Sequence, residues 1–367
     1  MKQSNSSGTF QRQLPYNDLP PMPPASSLET IRTLKAAIPA HTALAELRGV
    51  GDLIPNQSML IRAILLQEAR LSSEVENIVT TNDAMYKALS DDVKPTDPNT
   101  KEVLRYGEAL WHGYAALRSG RPLSAGMYVE LVQVIKKVEL GIRTLPGCQV
   151  VNQATGEPVY TPPEGEDRIR RFLDNLSEYI YATDDLDPLI KMAVVHYQFE
   201  AIHPFPDGNG RTGRVVNLLF LLEKELLSLP ILYLSRFIIE HKPDYYATLR
   251  AVTESEAWEE WIVYMLQAVE HTALFTRDMI RQIRIALDEA VVLARQNMGR
   301  AYSKELVELV FAQPYTRIAS VVRAGLAKRQ TASEHLRELE RIGLLRSVKL
   351  GSEMLYLNTR LMRILTA

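Results

Sequence analysis

The 367 residues carry 46% hydrophobic side chains, enough core for two or three domains, and a formal net charge of −2. That balance leaves no whole-chain footprint for nucleic acid, although local basic patches stay open. A single cysteine, Cys148, excludes an internal disulfide and fits a reducing cytoplasm, the start is polar and proline-rich rather than signal-like, and no apolar run reaches the roughly 18 residues of a membrane span.

In chain order, residues 1–27 contain Leu-Pro-Pro-Met-Pro-Pro at 19–24 and read as an extended arm, because clustered prolines cannot join helices or sheets. Residues 28–110 read as a helical region, with helical patterns continuing to about Arg118. Within it, Ser72-Ser73-Glu74-Val75-Glu76-Asn77 looks on its own like an ordinary solvated helix turn. Residues 147–151 and 157–161 are β-prone around Asn152-Gln153-Ala154-Thr155-Gly156, which suits a hairpin turn. An exposed hairpin edge of this kind can bind an extended target strand.

The most informative stretch follows. Asp187-Pro188 is a capped helix start with proline at the first helical position, and Leu189, Ile190, Ala193, Tyr197 and Ile202 approximate the helical repeat. His203-Pro204 then ends the run, since proline disfavours helix in the residue before it. Val215–Leu222 is apolar almost throughout and suits a buried helix opening near Arg211. Between the two helices lies His203-Pro204-Phe205-Pro206-Asp207-Gly208-Asn209-Gly210-Arg211-Thr212-Gly213-Arg214, a mixture for which a core has no use.

A glycine-bearing loop entering a helix N-terminus binds anions, through backbone N–H groups and the positive end of the helix dipole. Gly208 and Gly210 supply the backbone freedom, while Arg211 and Arg214 share a helix face from which guanidinium forks can clamp phosphate. Asp207 offers a hard oxygen to Mg²⁺, and His203 can accept a hydroxyl proton near neutral pH. Gly208-x-Gly210-x-x-Gly213 also matches the dinucleotide fingerprint and, superficially, a kinase glycine loop. The dinucleotide motif requires a preceding strand, which a helix exit is not, and no Walker lysine-serine pair is present.

Further on, a stripe including Ile262, Leu266, Val269, Ala273, Ile280, Ile283 and Leu287 predicts a long buried helix over roughly 258–298. From 303 onward, helical stretches near 303–312, 316–324 and 327–342 precede a hairpin-like 344–357 centred on Leu-Gly-Ser-Glu, and this order resembles a winged helix-turn-helix. Its third helix opens with Lys328, Arg329, Gln330, Thr331 and Ser333, types that can reach phosphates and base edges. Residues 301–367 hold 11 Lys/Arg against 6 Asp/Glu, an excess that purely structural winged helices also show, so DNA contact and protein recruitment both stay open.

The segment 203–214 fills every specified position of His-Pro-Phe-x-Asp/Glu-Gly-Asn-Gly-Arg-x-x-Arg, and so resembles the defining motif of Fic-domain proteins. The resemblance implies a mainly α Fic-type bundle with a small β-hairpin flap, and a protein adenylyltransferase that moves AMP from ATP to a hydroxyl side chain. It makes His203 the general base and Asp207 the Mg²⁺ ligand. Gly208, Asn209, Gly210, Arg211, Thr212, Gly213 and Arg214 become the nucleotide-binding run, with Asn209 near the α-phosphate and the two arginines on the β- and γ-phosphates. Relatives that move phosphate carry lysine where this chain has Gly210, and a related branch moves phosphocholine.

Beside that motif, Ser72-x-x-x-Glu76-Asn77 matches the family's inhibitory pattern, in which Glu76 would take Arg214 away from the γ-phosphate; some members use the same glutamate to remove AMP. Tyr245 and Tyr246 match an aromatic pair lining the nucleotide pocket in relatives, with Tyr246 assigned to adenine; buried packing tyrosines are the alternative reading. The hairpin near 147–161 becomes the flap on which a protein substrate docks. The expected division is therefore an arm at 1–27, an N-terminal helical region with the inhibitory helix at 28–110, a catalytic core at 111–290 and a winged-helix module at 291–367. Self-modification, a homo-oligomer and DNA contact through the last module are expectations, as are a cytoplasmic location and no membrane partner. The alternative reading is a DNA-binding regulator whose Fic domain only senses nucleotide.

Overall fold

A computed structural model of the chain describes residues 10–51, 57–89, 97–152, 155–350 and 353–367. The elements in order are α1 (Ile31–Gly51), α2 (Gln57–Val75), α3 (Asn82–Leu89), α4 (Pro98–Arg118), α5 (Ala125–Lys136), β1 (Val150–Val151), β2 (Pro158–Tyr160), α6 (Glu166–Tyr181), α7 (Pro188–Ile202) and α8 (Asn209–Glu223). They continue with α9 (Leu234–Glu240), α10 (Lys242–Ser255), α11 (Trp258–Asn297), α12 (Lys304–Val310), β3 (Tyr315–Arg317), α13 (Ile318–Arg323), α14 (Arg329–Arg341), β4 (Arg346–Leu350), β5 (Glu353–Leu357) and α15 (Thr359–Leu365). The fold is mainly helical with two small sheets. No helix among the described residues is long and apolar enough to cross a membrane.

The chain forms two compact units. The first joins the residues up to Leu44 to Glu108–Leu227 and Leu234–His271. Its centre is α7, which is apolar around its circumference and consequently buried on every side. α6 and α8 pack on α7, and α5 packs on α6 and α8. Asp187 caps α7 as its sequence demands: its carboxylate accepts from Leu189 N at 2.8 Å and Ile190 N at 3.2 Å, with Pro188 at the first helical position. The antiparallel hairpin pairs Val150 with Tyr160 and Val151 with Pro158. At its tip, Gln153 and Ala154 lie outside the described residues.

Residues 10–27 contain no helix or strand, in keeping with their prolines, yet they are docked along their length. Tyr16 N donates to Thr161 O at 2.9 Å, Thr161 Oγ1 donates to Arg12 O at 2.7 Å, and Glu164 N donates to Asn17 Oδ1 at 2.9 Å. Phe10 stacks on Tyr160, and Leu19 and Met22 are buried. The expected extended arm concerned regular structure alone: proline content forbids helix and strand and says nothing about docking, which is what the contacts add.

The second unit comprises Ala45–Gly107, Ser228–Tyr233 and Thr272–Ala367. Its C-terminal elements, from α12 on, run helix, strand, helix, helix, strand, strand, helix, with the sheet ordered β3-β5-β4. Gly351 and Ser352, the centre of the expected hairpin, lie outside the described residues. α15 packs on α2, and Tyr315 of β3 donates its hydroxyl to Asp83 of α3. Packing in this unit thus joins segments distant in sequence.

In this unit the Ser72–Asn77 segment closes α2. Ser72 is buried in the last turn, and Asn77 takes a left-handed φ of 61°. Ile78 N donates to Ser73 O at 3.0 Å and Asn77 N to Glu74 O at 2.9 Å, a Schellman stop with Glu76 as the C-cap residue. The pattern's final Asn is therefore a helix terminator, chosen from the few residues that tolerate the left-handed region. Glu76 is half-buried.

Candidate active site

The site is built on the turn between α7 and α8, and its shape is set by which residues accept left-handed backbone. His203 leaves α7 at φ 48° while its N–H still bonds Phe199 O at 3.0 Å. Gly208 takes φ 85° and a Cβ there would come within 3.1 Å of Val132 Cγ2, so both torsion and space call for glycine. Gly213 is a different case. It lies inside α8 where a Cβ would collide with Glu200 Oε1 and stand 3.0 Å from the Phe199 ring, so it permits close packing of α8 on α7.

Two side chains of the motif hold the loop itself. Asn209, 2% exposed, accepts from Phe205 N at 2.8 Å through Oδ1 and donates to Phe205 O at 2.7 Å through Nδ2. Thr212, fully buried, donates its hydroxyl to Gly208 O at 2.8 Å. Gly210 is half-buried in the first turn of α8, where N–H groups have no intrahelical partner. Arg211 and Arg214 follow on one face of the helix, 2% and 1% exposed. The turn therefore joins a positive helix end to two guanidinium groups held in a dry setting, where an anion is the natural complement.

Asp207 stands at the exposed edge of the loop. Lys136 Nζ lies 2.6 Å from its Oδ2 and Arg211 Nη2 lies 3.4 Å from its Oδ1. Partial burial alone would raise its pKa, but the hydrogen bond and charge of Lys136, with Arg211, hold it below the usual carboxylate range. Among the described residues no cluster of three or more His, Cys, Asp or Glu could hold a metal. One ionised, accessible carboxylate beside an anion-binding turn fits Mg²⁺ only in the manner of ions that take most of their shell from substrate phosphates and water.

Arg143 was not identified by sequence reasoning. It is buried and reaches the turn from the loop after α5: Nε donates to His203 O at 2.8 Å, Nη2 to Ile202 O at 3.3 Å and to Pro163 O, while its backbone N donates to Pro204 O at 2.9 Å. Tyr160 of β2 also donates its hydroxyl to Ala201 O at 2.8 Å. The hairpin and the exit of α7 are thereby fastened together. No pattern surrounds Arg143 in the sequence, and Lys136 is equally inconspicuous.

The two tyrosines of α10 separate. Tyr245 is buried, with its hydroxyl 2.8 Å from His196 Nε2, whereas Tyr246 is 40% exposed. His196 lies stacked on Trp261, and burial, with the charge of Arg214, pushes its pKa down to about 3, so it is neutral at ordinary pH. Tyr245 is thus enclosed, and Tyr246, edge-to-face against it at 5.1 Å, is the more exposed of the two.

Comparison with known proteins agrees with this architecture. Residues 34–115 match the model described as Fic/DOC family N-terminal, 129–221 the model Fic/DOC family, and 287–361 the model Protein adenylyltransferase SoFic-like, C-terminal domain. A probable protein adenylyltransferase of Aquifex aeolicus is 49% identical over 43 residues, 12% of this chain and 13% of that protein. Protein adenylyltransferase fic-1 of Caenorhabditis elegans is 31% identical over 93 residues, 24% of this chain and 17% of that protein. The match thus spans less than a fifth of either relative's length. Among solved structures, a Fic family protein from Desulfovibrio desulfuricans G20 shares the fold at TM-score 0.56 and 18% identity, over 92% of this chain and 98% of that one. Fic-1 of C. elegans gives TM-score 0.51 at 19% identity, over 68% and 74%. With an N-terminal, a central and a C-terminal segment each matched in chain order, the chain belongs to the Fic/DOC family.

Proposed function

We propose that the chain is a protein adenylyltransferase that moves AMP from ATP to a hydroxyl side chain of a target protein. The observation that carries this reading is the 203–214 turn itself, where a histidine at a pinned helix exit precedes a helix start bearing two buried arginines. His203 takes the proton of the target hydroxyl as its oxygen attacks the α-phosphorus. The bond from that phosphorus to the α,β-bridging oxygen breaks, and pyrophosphate leaves. Arg211 and Arg214 hold the β- and γ-phosphates, and the first-turn N–H groups of α8 receive phosphate oxygen. Asp207 would hold Mg²⁺, which supplies neutralisation of phosphate charge.

The reading includes a gate, in which Glu76 pairs with Arg214 and denies the γ-phosphate its fork. Support comes from the sequence pattern and from the position of Glu76 at a helix C-cap, where the dipole disfavours a carboxylate and an external cation is wanted. The hairpin edge would align the target's main chain, and Tyr246 would meet adenine. The C-terminal elements would form a winged helix that recruits targets, the exposed Lys328 and Arg329 being the feature that also admits DNA. Self-modification and assembly of a homo-oligomer complete the proposal, with cytoplasmic residence suggested by the single half-buried Cys148. The nucleotide-sensing alternative is not favoured, since a sensor has no need of His203.

The test uses ATP labelled on the α- or the γ-phosphate. Label from the α-position should appear on protein, label from the γ-position should not, and His203→Ala should lower the rate by about 10² to 10⁴ while ATP still binds. Equal labelling by wild type and His203→Ala would remove the assignment.

A further inference from the structure

Lys136 is the last residue of α5, and the turn between α7 and α8 is laid against its side chain. A Cβ on Gly208 would meet Lys136 Cγ and Cδ at 3.6 Å each, so the glycine lets the loop rest on the lysine stem. The ammonium reaches past that contact to Asp207 Oδ2 at 2.6 Å, while Asp207 Oδ1 faces Arg211. Each oxygen of the one hard ligand in the turn therefore faces a cation. A divalent ion taking Asp207 competes with the ammonium for the same carboxylate, and the repulsion between the two cations weakens the lysine's hold on it. Arg211 is fixed by burial; Lys136 has a flexible four-carbon stem, and its pair with the 59% exposed Asp207 side chain is of the weakly held, solvent-screened kind.

We propose that Lys136 is an exchangeable counter-ion of the nucleotide site. It neutralises Asp207 when the turn is empty, and when a divalent cation takes Asp207 it turns to the polyphosphate arriving on the adjoining start of α8. The inference rests on the nucleotide reading above. It assigns Lys136 to nucleotide binding and makes Asp207 and Lys136 a coupled pair, with one metal–carboxylate and one ammonium–phosphate contact replacing one ammonium–carboxylate contact.

The test is calorimetric binding of α,β-methylene-ATP to the full chain, in EDTA and in saturating Mn²⁺, with no turnover involved. In EDTA, Lys136→Gln should weaken binding at least fivefold, because it removes a cation and leaves Asp207 with Arg211 alone to offset its charge against the phosphates, and Lys136→Arg should stay within about twofold of wild type. The gain in affinity on adding Mn²⁺ should be at least fivefold larger in Lys136→Gln than in wild type. Asp207→Asn should strengthen metal-free binding, and Lys136→Gln in that background should cancel the gain. If wild type binds the analogue and Lys136→Gln binds it equally with and without metal, Lys136 only supports the loop and the inference is overturned. If wild type itself binds no analogue, the nucleotide reading fails first and this inference falls with it.

Discussion

Arg143 shows how much of the site depends on a residue far from the motif. Its guanidinium and backbone together hold the carbonyls of residues 202, 203, 204 and 163, and they fix His203 by its main chain rather than by its ring. A lysine would keep a single donating nitrogen and lose the planar fork, so His203 should be less well aimed. Misplacing a reacting group by about 1 Å can cost on the order of 10² in rate. Arg143→Lys is therefore expected to lower kcat at least tenfold with KM for ATP within about twofold of wild type. A rise in KM with kcat unchanged would show that Arg143 serves nucleotide binding instead. His203, Asp207, Asn209, Arg211 and Arg214 were legible because the chain lists them consecutively. Arg143 and Lys136 were not, since a lone cation about sixty to seventy residues upstream carries no signature until folding delivers it. Asn209 was legible as a member of the motif, and what the geometry adds is that both ends of its amide bind Phe205.

At the scale of elements, the ends of α7 were readable from local chemistry: Asp187-Pro188 starts it, and His203-Pro204 stops it. Its start has a further partner that sequence could not supply, His41 of α1, whose Nε2 lies 2.8 Å from Asp187 Oδ2. The hydrogen bond to Asp187, against the opposing effect of burial, raises the His41 pKa. Burial opposes but the His41 interactions and the capping N–H groups lower that of Asp187. The raised histidine stabilises fully below its unfolded pKa of about 6.5 and loses that contribution as pH climbs through its folded value. The depressed aspartate contributes above its unfolded pKa of about 3.9 and loses this as pH falls. Their common window is thus about pH 4 to 6.5. His41→Ala should lower Tm clearly at pH 5.5 and much less at pH 8.5. An equal drop at both values would indicate lost packing rather than a lost ion pair.

For the whole molecule, the sequence conveyed a helical chain with a distinct C-terminal part, but not that Ala45–Gly107 belongs in one compact unit with Thr272–Ala367. Periodicity identifies a buried face without naming what covers it. Because α2 needs α15, and α3 needs β3, truncation at about residue 300 would strip packing from the segment that carries Glu76, and point variants are the cleaner probe. Glu76→Gly should raise AMP transfer at least tenfold, a charged hydrogen-bonded pair being worth about 1.5–3 kcal/mol. Arg214→Ala should not mimic it, since the phosphate loses its clamp too. No acceleration over a range of ATP concentrations would make Glu76 an ordinary C-cap residue and leave His203 untouched. The α14 start offers a second check. If it meets duplex DNA, Lys328→Ala with Arg329→Ala should weaken binding and reduce the salt slope by about 2. Absence of binding at low salt would leave protein recruitment.

The discontinuity of the second unit also sets an order of birth. Every segment of the first unit has been made once His271 is added, whereas the unit containing Glu76 still awaits 272–367. At about 5–20 residues per second, ribosomes take on the order of 5–20 s to add that stretch. For that interval a nascent chain holds His203, Arg211 and Arg214 while the unit that carries Glu76 is unfinished. On the reading in which Glu76 restrains transfer, synthesis completes the unit proposed to carry the chemistry before the unit proposed to carry its control.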